Sequence, residues 1–159
     1  MTTENSATTD NAGVIAPPPL IYLGALGIGF GLNSIARGGS LPAPVAKPAG
    51  AALIVAGVGL LGSFVEAFRG AETPIDPYTP STAIVTDGPY RVTRNPAYLG
   101  MALTYAGIAI VANAPWALVP LPAAIAIIDR GVIAREERYL ERKFGAPYRD
   151  YKERVRRWL

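Results

Sequence analysis

Within residues 87–100, Asp-Gly-Pro-Tyr-Arg-Val-Thr-Arg-Asn-Pro-Ala-Tyr-Leu-Gly, a polar, proline-punctuated loop turns directly into an apolar run. Asn95 is suited to cap a helix through its side-chain oxygen, and Pro96 suits the first helical position, where its missing N–H would be unpaired anyway. The first turn of such a helix presents free N–H groups and the positive end of the helix dipole. With Arg91 and Arg94 just upstream, this makes a seat for a carboxylate or a phosphate. The same ingredients also describe a capped membrane helix whose arginines meet lipid headgroups.

A second group of ionisable residues follows in residues 129–143, DRGVIAREERYLERK. At helical periodicity, Ile133, Glu137, Leu140 and Phe144 share one stripe, so Glu137 points with apolar neighbours and needs a partner there. Arg130, seven residues earlier, falls near the same face, whereas Glu136 lies with Val132, Tyr139 and Lys143. One reading is a helical salt bridge. The other is that Glu137, with Glu136, binds cationic or hydroxylated parts of a ligand. The chain has no Cys and no His, which removes disulfides, thiolate nucleophiles, imidazole bases and the usual zinc or haem ligands, so no metal site is expected.

The elements that must position these groups are apolar helices. Half of the 159 residues are apolar and only 17% are charged, the balance of a membrane protein. The expected fold is all-α and integral to the membrane, with about four spans, near 20–36, 49–68, 96–112 and 115–133. Spans three and four form a hairpin about Asn113-Ala114-Pro115, and residues 134–159 follow as C-terminal cofactor-binding and interfacial helices. Residues 1–19 read as a disordered tail, without the positive start of a signal peptide, leaving 20–159 as a single domain. Gly57-Val58-Gly59-Leu60-Leu61-Gly62 matches a dinucleotide-binding string, but no strand precedes it. Gly57 and its small neighbours, like Gly24, Gly27 and Gly31, read as surfaces for close helix packing.

Charge sets the expected orientation. Ten of the 15 Lys and Arg residues lie between Arg130 and Arg157; Arg37 and Lys47 lie between spans one and two, and Arg69, Arg91 and Arg94 between two and three. The positive-inside rule then places the 69–94 loop, both termini and the site on the cytoplasmic face, in a cell inner membrane. After Gly145, a natural helix stop, Pro147 restarts a helix. Tyr148, Tyr151, Val155 and Trp158 form its apolar-aromatic stripe, as in an interfacial helix.

Taken together, GPYRVTRNPAYLG and REERYLERKFGAPYRDYKERVRRWL resemble the isoprenylcysteine carboxyl methyltransferase and phospholipid methyltransferase group of membrane enzymes. The resemblance covers about residues 73–159 and departs at Asn95, where many members carry His. It implies S-adenosylmethionine as methyl donor, a lipophilic small-molecule or lipid acceptor entering from the bilayer, and no nucleic acid partner. The implied cofactor-binding residues are Tyr90, Arg94, Asn95, Pro96, Tyr98, Leu99, Gly100, Glu136, Glu137, Tyr148 and Tyr151. Gly100 would permit close approach of the adenosyl group, and Arg130 and Glu137 would manage the acceptor. Two rival readings stay open: an NADPH-dependent membrane reductase of the steroid reductase kind, and a non-catalytic protein whose basic tail binds anionic lipid.

Overall fold

A computed structural model describes residues 10–36 and 39–159; residues 1–9 of the expected tail, and Arg37, lie outside the described residues. The described chain is helical, without strands: α1 (Pro18–Ile35), α2 (Ala43–Gly70), α3 (Pro96–Val111), α4 (Leu121–Ile128), α5 (Ala134–Phe144) and α6 (Ala146–Arg154). Proline stands in the first turn of every one of these except α5, at positions whose N–H groups have no helical partner to lose. Helix α2 begins at Ala43 rather than near residue 49 and runs through Pro48, its sixth residue, which forgoes one helical hydrogen bond there.

Three segments are long and apolar enough to cross a membrane: Pro18–Ile35, Ala43–Gly70 and Pro115–Phe144. Helix α3 is shorter, at 16 residues. Large apolar side chains such as Leu23, Ile28 and Val55 are exposed on α1 and α2, as expected where lipid replaces water as solvent. Helices α2 and α3 run antiparallel with their backbones in contact. A Cβ added at Gly57 would lie 2.6 Å from the Gly100 carbonyl oxygen, and one at Gly107 would lie 2.6 Å from that of Gly50. The two contacts recur seven residues apart on each helix, every second turn, so one glycine stripe closes the whole interface. The packing role expected of Gly57 is therefore seen. On α1, by contrast, Gly24, Gly27 and Gly31 meet nothing within 4 Å, and it is Gly29 that packs on the backbone of Ala117.

Helix α1 lies against the other side of α3 and α4. Tyr22 donates to the carbonyl of Tyr98 (3.1 Å), and Ile128, Val132 and Ile133 are fully buried at the centre of this packing. The chain rises and falls so that the start of α1, the end of α2, the start of α3 and all of α5 meet at one end of the bundle. Between α4 and α5 the chain forms a wide π-turn, Asp129–Ile133. Such a turn carries about one residue more than an α-turn and so rotates what precedes it. Arg130 consequently leaves the face it would share with Glu137 and is exposed, while Asp129 moves onto that side.

Candidate functional site

A cavity of about 310 Å³ lies at this end of the bundle, within the size range of small-molecule sites. Its floor is the 95–101 entrance of α3, where Asn95, Ala97, Tyr98 and Met101 line it. Glu136, Glu137 and Leu140 of α5 form one wall, Tyr148 and Tyr151 of α6 another, and Phe64 and Phe68 a third. The 71–87 loop closes over the top. Asp76 holds the turn there by accepting from the backbone N–H of Tyr78 (3.0 Å), and the N–H of Ser81 donates to the Tyr139 hydroxyl (3.1 Å). Residues 10–15, expected to be disordered, also cover it. Arg135 donates to the carbonyl of Gly13 (2.8 Å), Lys143 pairs with Asp10 (2.5 Å), and Val14 is buried in the core.

The sequence-predicted residues Tyr90, Arg94, Asn95, Tyr98, Glu136, Glu137, Tyr148 and Tyr151 all line this cavity. Pro96, Leu99, Gly100 and Arg130 do not. Pro96 is fully buried beneath it, and Gly100 faces α2, so its missing side chain serves helix packing instead of a ligand. Asn95 occupies the helix start, but its side chain makes no cap. Its Nδ2 donates instead to the carbonyl of Arg157 (2.9 Å), because the C-terminal segment crosses the helix entrance. Arg91 pairs with Asp87 at the surface and takes no part in the cavity.

The two adjacent glutamates are in different electrostatic circumstances. Glu137, 6% exposed, has both oxygens occupied. Oε1 receives Arg94 (3.1 Å) and Arg157 Nε (3.1 Å), and Oε2 receives Arg157 Nη2 (2.5 Å). Glu136 accepts from the hydroxyl of Tyr98 (2.7 Å) and makes no ion pair among the described residues. Arg94, whose side chain is only 9% exposed, spends its two terminal nitrogens on Glu137 and on the carbonyl of Lys152, while its Nε–H is buried without a partner among the described residues. The cavity lining therefore includes a carboxylate without a cation and an arginine whose Nε–H is buried and unmet among the described residues, both costly arrangements.

The remaining wall is aromatic. Phe64, Phe68 and Tyr90 cluster with ring centroids 4.8–6.5 Å apart, and Tyr148 and Tyr151 meet at 6.1 Å. Tyr151 donates to the carbonyl of Tyr90 (2.9 Å). Burial pushes the phenols of Tyr90, Tyr148 and Tyr151 well above their ordinary range, so they remain neutral donors at physiological pH. Tyr148 and Tyr151, expected both on the interfacial stripe and among the cofactor-binding residues, are buried at the cavity, and Trp158 Nε1 donates to Asp129 (3.1 Å). Sequence reasoning missed Arg157, Asp129, Phe64 and Phe68. Arg157 stands in the run Arg154-Val155-Arg156-Arg157, where nothing in type or spacing separates it from its neighbours.

Comparison with known proteins agrees with the two blocks of resemblance. Over 62 residues, covering 39% of this chain and 78% of the relative, the sequence is 44% identical to an uncharacterised protein of Haemophilus influenzae. No solved structure matches. The family model for phospholipid methyltransferase matches residues 45–147, which include α2, α3, the cavity loop and both glutamates but stop short of Arg157. The chain belongs to the phospholipid methyltransferase family, a family of methyltransferases with membrane lipid-type substrates.

Proposed function

We propose that the protein transfers a methyl group from S-adenosylmethionine to a lipophilic acceptor, in a four-span arrangement whose cavity opens at the cytoplasmic face. The observation that carries this reading is that one aromatic-walled cavity is lined by both the Arg94 guanidinium and the cation-free carboxylate of Glu136. The donor set fits: S-adenosylmethionine carries a carboxylate, an ammonium, ribose hydroxyls and an aromatic base. When bound it would supply an electrophilic methyl group already activated by sulfonium.

Arg94 would hold the donor's carboxylate through a charge-assisted hydrogen bond. Glu136, oriented by the Tyr98 hydroxyl, would accept from the ammonium or the ribose, or face the sulfonium. The neutral phenols of Tyr90, Tyr148 and Tyr151 and the rings of Phe64 and Phe68 supply flat apolar surface for the adenosyl group. Pro18, Phe64 and Met101, contributed by the apolar helices, line the cavity and would border a route for a lipophilic acceptor from the bilayer side. The chain's task is then to align two reactants and exclude water, for which the 71–87 loop and residues 10–15 form the cover. Carboxylate, amine and lipid-headgroup acceptors all suit such a site, since none requires a His or Cys base.

Calorimetric titration of S-adenosylhomocysteine into protein in lipid nanodiscs tests the reading. Saturable binding that Arg94→Ala loses, with the variant still folded, is expected. Absence of wild-type binding would refute it, and binding of NADPH in its place would reassign the cavity to a reductase.

A further inference from the structure

Arg157 lies outside the family match, and its contacts converge on the residues that shape the cavity. Its guanidinium grips both oxygens of Glu137, at 3.1 and 2.5 Å, and reaches Asp129 at 3.2 Å. Its carbonyl accepts from the Thr93 hydroxyl (3.1 Å) and from Asn95 Nδ2 (2.9 Å), while the carbonyl of Arg156 accepts the backbone N–H of Arg94 (2.9 Å). Thr93, Arg94 and Asn95 are thus each tied to the 156–157 strap, so the backbone is held at Arg94 and on both sides of it.

We infer that Arg157 is a positioning residue for the methyl-donor site: its two-pronged hold fixes the Glu137 carboxylate, which in turn fixes the Arg94 guanidinium in the cavity wall to meet a ligand carboxylate. The inference rests on the methyltransferase reading for the identity of that ligand. The geometry leaves Glu137 little capacity for direct ligand contact, about one of its four lone-pair sites. Three guanidinium N–H groups already occupy its two oxygens, so it serves as the counterion that orients Arg94. It also explains the π-turn, since Asp129 is rotated to the side from which it can hold the far nitrogen of Arg157. A lysine at position 157 would keep the charge, but a single ammonium cannot reproduce a planar fork that spans Glu137 and Asp129 together.

The test uses the full chain in nanodiscs and two probes. S-adenosylhomocysteine carries the amino-acid carboxylate; methylthioadenosine has the same nucleoside and lacks that group. For the wild type, tighter binding of S-adenosylhomocysteine is expected. Arg157→Lys should weaken S-adenosylhomocysteine about tenfold, the worth of one charge-assisted hydrogen bond, and leave methylthioadenosine unchanged. A merely structural defect would weaken both probes together, and that result, or equal affinities in wild type and Arg157→Lys, would overturn the inference. If Arg157→Lys does not fold, the same comparison is made with the double variant Thr93→Val and Asn95→Ser, which removes both side-chain ties to the Arg157 carbonyl while keeping Arg157. Its loss of preference for the carboxylate-bearing probe supports the inference, and a retained preference refutes it. Wild-type protein that binds neither probe would instead refute the methyltransferase reading itself.

Discussion

The two neighbouring glutamates should respond oppositely to the same substitution. Glu137→Gln keeps the shape of the side chain but replaces two anionic oxygens by one neutral acceptor and an amide N–H₂ that would face a guanidinium. Removing one member of a buried ion pair costs about 3–5 kcal/mol. Arg157 is 33% exposed and retains Asp129 at 3.2 Å, which softens the loss, whereas Arg94 is 9% exposed and has no other carboxylate within ion-pair distance among the described residues. A loss of about 3 kcal/mol is therefore expected. At about 2–4 °C per kcal/mol for a chain of this size, the thermal midpoint in detergent should fall by roughly 6–12 °C. Glu136→Gln removes a carboxylate that has only the Tyr98 hydroxyl for company, so stability should change by less than about 1 kcal/mol while donor affinity falls about tenfold. Thermal midpoints and S-adenosylmethionine titrations of both variants decide the matter. If Glu136→Gln proved as destabilising as Glu137→Gln and bound the donor normally, the assignment of ligand-facing and structural roles would be wrong.

Two further substitutions test the architecture around the site. Gly57→Val should separate α2 from α3 and cost about 2–3 kcal/mol, because a Cβ there would sit 2.6 Å from the Gly100 carbonyl. Gly59→Ala, with nothing within 4 Å, should be neutral or slightly stabilising through helix propensity; thermal midpoints of both variants report the difference. Asn95→Ser would leave stability unchanged if Asn95 acted as a helix cap, for which Ser is as good. The observed bond to the Arg157 carbonyl predicts a loss of about 1–2 kcal/mol instead, read from the same melts.

Patterns that repeat along one element were legible in the sequence, and contacts between distant elements were not. The apolar runs, the helix start at Pro96, the Gly57 packing surface and the inward stripe of Glu137 follow from periodicity and from proline and glycine positions. Arg130 lies off the face that helical period assigns it, because a π-turn breaks the period on which extrapolation from Glu137 depends, and nothing local announces such a turn. Gly100 and Asn95 were given ligand and cap roles because their types suit those roles. In the fold, a neighbouring helix and the returning C-terminus claim them first. Arg157 could not be singled out, since only the tertiary path of the 155–159 segment distinguishes it from Arg154 and Arg156.

The charge arithmetic of the network leads to a final prediction. Arg94 and Arg157 offset Asp129 and Glu137, through contacts of 2.5–3.2 Å, and Glu136 is left as one unmatched carboxylate in the cavity wall. An anion so placed is costly in the empty protein and becomes favourable when a cation arrives beside it. S-adenosylmethionine carries one net positive charge and S-adenosylhomocysteine none, the difference being the sulfonium. The wild-type protein should therefore bind the methyl donor more tightly than the demethylated product, by about fivefold to tenfold if Glu136 contributes one partly screened charge contact. Glu136→Gln should bring the two affinities together by weakening the donor more than the product. Parallel titrations of both compounds into both proteins measure this directly. An undiminished preference in Glu136→Gln would mean that the sulfonium charge is met elsewhere in the cavity and that Glu136 faces an uncharged part of the ligand.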